Sequence, residues 1–346
     1  MLKKIFCLVL CLSIILSLSA CQNKKQKFSK NYIEYFDTVC TVVGYEFSEK
    51  EFNKMCEFID SELEVYNQLY DIYKSYDNVN NIKTINKNAG KEPVKVDKKI
   101  IDLLKFSKEI YDKTNGTVNI AMGSVLKIWH NHRELGMSEP ENATVPEKNE
   151  LLEANNHADI NNLIIDEENC TVFLKDSEMS LDVGSVAKGY ATERIAQDLI
   201  SQGKTSYTLN FGGNIRTIGN KGDDTPWTAA VSNPDLTAEN PTIMRVKLTD
   251  CVFVTSGSYQ RYYEVDGKRY HHIINPETLY PENNFTSVSI CAKDSGLADA
   301  LSTSLFNLSL EDGKKLIASF EGAQAMWVTP SDEIFYTDGF KDIIIE

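Results

Sequence analysis

From Val254 to Pro276 the chain reads V-T-S-G-S-Y-Q-R-Y-Y-E-V-D-G-K-R-Y-H-H-I-I-N-P, and from Ser295 to Phe306 it reads S-G-L-A-D-A-L-S-T-S-L-F. The first segment has the pattern of a β-hairpin. Tyr262, Tyr263 and Val265 run into Asp266-Gly267, a pair suited to a tight turn, and Tyr270 to Ile274 runs back out. The second segment is helical: Asp294 or Ser295 can cap its start, and Leu297, Ala300, Leu301, Ser304 and Leu305 make an apolar stripe. Asp299 and Thr303 stand four apart on that helix and share a face. A carboxylate beside a hydroxyl suits a hard cation such as magnesium, which takes oxygen ligands. The same pair is also consistent with a local cap or ion pair for Asp299 and a bond from Thr303 back to the preceding turn.

Outward from this stretch, strands and helices interleave without a regular βαβ rhythm. Tyr32 to Tyr45 is rich in β-branched and aromatic residues and reads as one strand. Glu51 to Tyr70 places Phe52, Met55, Cys56, Ile59, Leu63, Tyr66 and Leu69 at helical spacing, and Asp97 can cap a second helix that ends before Gly116. The run around W-H-N-H reads as a helix ending near His132, with His130 and His132 in surface or structural roles. Leu163 to Leu174 reads as a hairpin. In M-S-L-D-V-G-S-V-A-K-G-Y-A a strand gives way to a helix near Gly184-Ser185. Backbone N–H groups at such a helix start bind anions, and Lys188 one turn in can meet a phosphate or stay solvated. Gly212-Gly213 interrupts T-L-N-F-G-G-N-I-R-T-I-G, permitting a bulge or a close backbone approach to a ligand. Trp227–Val231 and Met244–Leu248 are strands, Leu310–Phe320 is a helix, and a hairpin around Pro330-Ser331-Asp332 closes the chain. The class is α+β, with antiparallel sheets and helices packed on them.

The first residues read as an address. Lys3 and Lys4 precede an apolar run from Ile5 to Leu18, followed by L-S-A-C ending at Cys21. The sequence before Cys21 resembles a bacterial lipobox, which implies cleavage at residue 20 and a diacylglycerol anchor on the Cys21 sulfur. Residues 21–30 then form a lysine-rich flexible tether. The net charge is −14, and removing residues 1–20, with two lysines and no acid, leaves −16. An acidic chain with no basic stripe argues against nucleic acid as a partner and against charge-driven adhesion to anionic lipid. Cys40, Cys56, Cys170, Cys251 and Cys291 are scattered, lack a C-x-x-C and are odd in number; they read as small core residues.

Several motifs in order carry a family resemblance. L-D-V-G-S-V-A-K-G-Y-A resembles the D-L-G-G-I-A-K-G-Y-A segment of the ApbE family, and N-F-G-G-N-I resembles its N-L-G-G-D-I. T-S-G-S-Y, H-H-I-I-N-P-E-T and A-D-A-L-S-T are similar to T-S-G-D-Y, H-H-I-I-D-P-R-T and A-D-A-L-S-T. F-D-T, S-Y-D and N-G-T-V-N-I match the remaining landmarks, so the likeness runs from about Tyr32 to Trp327. It implies an ApbE-like, T-fold-like single compact domain over residues 31–346. It also implies a magnesium-dependent FAD:protein FMN transferase, which splits FAD, attaches FMN to a threonine or serine hydroxyl and releases AMP.

By matching positions, Asp299 and Thr303 would ligate magnesium with Ser302 nearby, and Ser185 would contribute its backbone carbonyl. Phe36, Tyr76, Thr117, Val118, Asn119, Asp182, Lys188 and Ile273 would line the FAD site, with Tyr76 a flat surface for a ring. His272 is the candidate base for the acceptor proton, from its motif position and the pKa range of imidazole. The implied acceptor is an extracytoplasmic flavoprotein subunit of a redox complex. This chain lacks an S-G-A-T site of its own. The alternatives are hydrolysis of FAD to FMN and AMP, and a lipoprotein that binds FAD without turnover. Four positions depart from the family pattern: Asp37 and Leu279 replace glycines, and Asn119 and Asn275 replace aspartates.

Overall fold

The computed structural model describes residues 24–345. The segment expected to be a signal and Cys21, the expected site of lipid attachment, lie outside the described residues. Among the described residues no helix is long and apolar enough to cross a membrane.

In chain order the strands are β1 (Gln26–Tyr35), β2 (Thr38–Glu46), β3 (Val94–Lys95), β4 (Leu163–Asp166), β5 (Thr171–Leu174), β6 (Ser206–Phe211), β7 (Asn214–Gly219) and β8 (Trp227–Ser232). They continue as β9 (Thr242–Leu248), β10 (Val252–Gly257), β11 (Tyr262–Val265), β12 (Lys268–His271), β13 (Ser287–Ala292), β14 (Gln324–Val328) and β15 (Ile334–Tyr336). Eight of them form one open antiparallel sheet in the order β1-β2-β6-β7-β10-β13-β14-β15. The sheet does not close into a barrel.

Helices Glu49–Tyr70, Lys98–Lys113 and Ala187–Ser201 cover one half of the sheet, burying Ile59, Leu63, Ile100 and Ile195 against Val42, Leu209 and Phe211. Ser295–Asn307 and Leu310–Ala318 cover the other half, over Val254, Ile290 and Trp327. The opposite face is closed by β8 and β9, whose Trp227 and Val246 pack with Phe253, Cys291 and Phe340. With both faces covered, every residue of β13 is buried, which is why it lacks the alternation of a half-exposed strand. A separate cluster joins the Gly123–Ser138 helix to the β11–β12 hairpin through Trp129, Tyr263 and Leu279.

Five local expectations need correction. Tyr32–Tyr45 is two strands joined by a two-residue turn. Phe36 and Asp37 take φ values of 53° and 52° there, an Asp-assisted reversal with no glycine to announce it. Residues 26–30 are the start of β1 and not tether, because Phe28 stacks on Phe52 with ring centroids 5.5 Å apart. Gly212-Gly213 is the turn of a tight hairpin, with φ of 60° and 91° and Phe211 paired to Asn214. Met179–Val183 makes one isolated bridge, between Met122 and Ser180, and is otherwise tied by Asn86 to the Leu181 backbone and by the Asp182 N–H to the Ile120 carbonyl. No neighbouring strand reaches it, so it forms no ladder. The W-H-N-H helix also continues beyond His132, to Ser138.

Candidate functional site

Two helix starts meet at the centre of the site. The Ala187–Ser201 helix passes the Ser295–Asn307 helix so closely that a Cβ on Gly189 would lie 2.3 Å from the Ser295 carbonyl oxygen and 2.4 Å from the Asp299 Cβ. Only glycine fits there. The close approach lets the Gly189 N–H donate to Asp299 Oδ2 at 2.8 Å, while Lys188 Nζ stands 3.8 Å from the same oxygen. Asp299 is 5% exposed. Burial pushes its carboxyl up, and Lys188 and the Gly189 N–H act in the opposite sense.

Asp299, Thr303, Ser185 and Lys188 line one cavity of about 340 Å³. Thr303 also lies 3.5 Å from the Asp299 carbonyl, at the outer edge of a hydrogen bond. Ser302 is not in that lining: its hydroxyl meets Ser256 at 2.7 Å and donates to the Asp299 carbonyl at 2.8 Å, so it braces the helix from behind.

The remaining predicted positions divide similarly. Phe36, Thr117, Val118, Asn119, Asp182, Ile273 and His272 line the same cavity. Phe36 is held in its left-handed conformation by Asn67, whose Oδ1 accepts the Phe36 N–H at 2.9 Å. Tyr76 stands outside the lining, its hydroxyl donating to Asp71 Oδ2 at 2.7 Å. Tyr73 takes that part of the wall, 53% exposed and with its ring 5.1 Å from that of His130.

His272 is held by its own N–H, which donates to the Arg261 carbonyl at 3.1 Å. Its Nδ1 is sealed from solvent without a hydrogen-bond partner among the described residues. Burial pushes its pKa down to about 3, helped by the charges of Arg261, Arg133 and Lys188. The imidazole is therefore neutral near pH 7, but it is a weak base until an anion offsets the surrounding cations and raises its pKa again. His271 has a different role: its Nε2 bonds the Glu282 carbonyl at 2.7 Å and its Nδ1 accepts the Ile273 N–H at 3.2 Å, locking the backbone on either side.

The sequence reading missed Tyr73, His130, Arg133 and Arg261, all in the lining. Met122, Leu126, Trp129 and Arg133 follow helical spacing and share the face of Gly123–Ser138 that meets the cavity. Ending that helix at His132 hid Arg133. His132 instead points to the Thr144 carbonyl, 2.9 Å away.

The four departures from the family pattern each have a local account. Asp37 occupies a left-handed turn position that aspartate tolerates. Asn119 Oδ1 accepts the Ala121 N–H at 2.9 Å and its Nδ2 donates to the Ala158 carbonyl at 2.9 Å, a donation no carboxylate could make. Asn275 Nδ2 donates to Glu282 Oε1 at 3.0 Å and to the Asn307 carbonyl at 3.2 Å, so its amide complements an acid nearby. Leu279 keeps a glycine-like φ of 63° although it is buried in the Trp129 cluster.

The donor set at Asp299 can be tested for a cation. Among the described residues no group of three His, Cys, Asp or Glu could hold a metal. One buried carboxylate with a hydroxyl and a carbonyl nearby fits an ion that completes its shell with water or substrate phosphate, as magnesium does, and not a closed zinc site.

Comparison with known proteins agrees with this arrangement. The profile of the ApbE family matches residues 36–327. The FAD:protein FMN transferase of Treponema pallidum is 33% identical over 275 residues, covering 75% of this chain and 74% of the relative. That of Klebsiella pneumoniae is 33% identical over 258 residues, covering 73% and 76%. The crystal structure of the ApbE protein of Thermotoga maritima superposes with a TM-score of 0.79 at 30% identity, covering 93% of this chain and all of that one. The profile spans most of the chain, the relatives are 33% identical over about three quarters of it and the fold coincides: the chain belongs to the ApbE family.

Proposed function

We propose that this protein transfers FMN from FAD to a threonine or serine hydroxyl of a partner flavoprotein, releasing AMP. The observation that carries the reading is the convergence of Asp299, Thr303, Ser185, Lys188 and His272 on one cavity. The names of its relatives agree with it. In this reading the acceptor oxygen attacks the phosphorus on the FMN side, and the bond to the AMP phosphate breaks. His272 takes the hydroxyl proton on an imidazole that burial keeps neutral. Lys188 offsets charge on the diphosphate, and Asp299 with Thr303 and the Ser185 carbonyl would hold magnesium, which neutralises phosphate charge when bound. Phe36, Val118 and Ile273 offer apolar surface to the flavin or adenine, and Asp182, Thr117 and Asn119 offer polar groups. The acceptor is an extracytoplasmic subunit of a redox complex, reached from a lipid anchor at Cys21; the lipobox-like sequence supports that placement.

Incubation of the protein with FAD, magnesium chloride and a threonine-bearing acceptor tests the reading by mass spectrometry. An acceptor heavier by one FMN, with AMP released, is the expected result. Free FMN and AMP with an unmodified acceptor would identify a hydrolase, and intact FAD would identify a binder.

A further inference from the structure

Four cations line the cavity: Lys188 faces a buried acid, Arg133 only an exposed one, and among the described residues Lys74 and Arg261 make no ion pair. Lys188 faces Asp299, and Lys74 sits exposed at the rim. Arg133 is different: its side chain is 18% exposed, its nearest acid is Glu134 at 3.8 Å, and that acid points largely into solvent. Its guanidinium donates to His130 Nδ1 at 2.9 Å, an acceptor that fixes the group without neutralising it. Arg261 is exposed at the cavity edge, and its backbone carbonyl holds His272. Among the described residues it makes no ion pair.

Arg261, Arg133 and Lys188 come from three separate segments to line the same cavity as His272, and their charges add to burial in opposing its protonation. Among the described residues the one ion pair within the lining is that of Lys188 with Asp299. Asp71 accepts from the Tyr73 and Lys74 N–H groups and from the Tyr76 hydroxyl. Asp182 accepts the Gly184 N–H and is reached by the charge of Arg133 without an ion pair to it, and Asp37 lies on the exposed turn. Cations gathered in a half-buried cleft repel one another until an anion lies between them.

We propose that Arg133 and Arg261 clamp the diphosphate of the bound dinucleotide from the His272 side of the cavity, facing phosphate oxygens that Lys188 approaches from the Ala187–Ser201 helix. The clamp rests on the FAD reading given above. A guanidinium suits it because its fork can meet two phosphate oxygens at once.

Fluorescence titration with FAD and with riboflavin, which has no phosphate, separates the clamp from general damage. Arg133→Met and Arg261→Met should each weaken FAD about tenfold or more, as loss of a charge-assisted bond does. Riboflavin should bind as it does to the wild type. Arg261→Lys should recover part of the loss, because charge returns without the fork. Arg261 is exposed, so its variants test the clamp even if Arg133→Met folds poorly. Unchanged FAD affinity in the Arg261 variants, or equal weakening of FAD and riboflavin, would overturn the clamp. A wild type that bound no FAD would overturn the site reading and the clamp together, whereas a wild type that transferred FMN beside unaffected variants would overturn the clamp alone.

Discussion

Where the Ala187–Ser201 and Ser295–Asn307 helices cross, the cavity wall is made of backbone and small side chains. Gly189 touches Ser295 and Asp299, and a backbone N–H holds the carboxylate. Across the cavity the wall is made of large side chains on the Gly123–Ser138 helix and the segment leading into β11. Arg133 rests on His130, Trp129 packs against Tyr270 and Tyr280, and Arg261 hangs from the loop before β11. The first wall has no slack, because a single added Cβ collides with backbone. The second wall presents large side chains to the cavity, on a helix whose start is itself fixed by Gly123, where an added Cβ would lie 2.4 Å from the Ser180 carbonyl oxygen. Chemistry that must be held to a fraction of an ångström suits the first, and discrimination among ligands suits the second.

The sharpest way to break that contrast is at Asp299. Asp299→Asn keeps the shape and an acceptor for the Gly189 N–H but removes the charge. Transfer of FMN should fall by about a hundredfold or more, the scale of losing several kcal/mol of charge stabilisation. Thermal stability should hold or rise slightly, because the ionised carboxyl is disfavoured by burial. A variant with near-normal rates would remove Asp299 from the reaction.

His272 tests the other wall. His272→Asn should slow transfer by about a hundredfold, as expected for loss of a general base. The same residue predicts a pH effect on stability. Its pKa lies near 3 in the fold against an ordinary 6.5, so the unfolded chain takes up a proton that the folded chain does not. The stability tied to neutral His272 is complete above about pH 6.5 and is lost as pH falls toward 3. Urea unfolding between pH 7 and pH 4 should show a slope of up to about 1.4 kcal/mol per unit from this group, absent in the asparagine variant. Parallel slopes in the two proteins would mean that the imidazole titrates normally.

The first wall was readable in the sequence and the second largely was not. Gly189, Lys188, Asp299 and Thr303 sit in short motifs because close backbone approach demands particular residues at fixed spacing. The Asp266-Gly267 turn and the Asp294 cap were legible for the same local reason. Arg261, Tyr73 and His130 reach the cavity only through tertiary packing, and nothing in their neighbours' spacing marks it, whereas Arg133 was legible only if the helix is carried past His132. The β1–β2 turn escaped because Phe36 and Asp37 take left-handed conformations without a glycine. Tyr76 and Tyr73 illustrate the limit of carrying over a motif position: Asp71 draws the Tyr76 hydroxyl aside and leaves Tyr73 facing the cavity.

A smaller effect probes the second wall. Asn275→Asp restores the family residue, yet here it should destabilise by about 2 kcal/mol. The change removes donors to Glu282 and to the Asn307 carbonyl and sets two carboxylates face to face. Adding Glu282→Gln should recover most of the loss in a double-mutant cycle. Additive losses would show that the two residues do not act as a pair.

The smallest expected effect is at Leu279, where two terms oppose each other. Its φ of 63° strains a leucine, and Leu279→Gly would relieve about 1–2 kcal/mol of that cost. The same change empties a site where the side chain is 2% exposed, and losing a buried leucine costs about 2–5 kcal/mol. Packing outweighs strain, so the glycine variant should be less stable by about 1–3 kcal/mol. The bonds to the Leu279 backbone, from the Trp129 indole Nε1 to its carbonyl at 2.9 Å and from its N–H to the Asn275 carbonyl at 2.8 Å, do not depend on the leucine side chain. They should hold the turn in place, leaving FMN transfer nearly unchanged while the denaturation midpoint drops. A midpoint that rose would mean that the family's glycine is preferred here too, and that leucine persists at this turn for a reason other than packing.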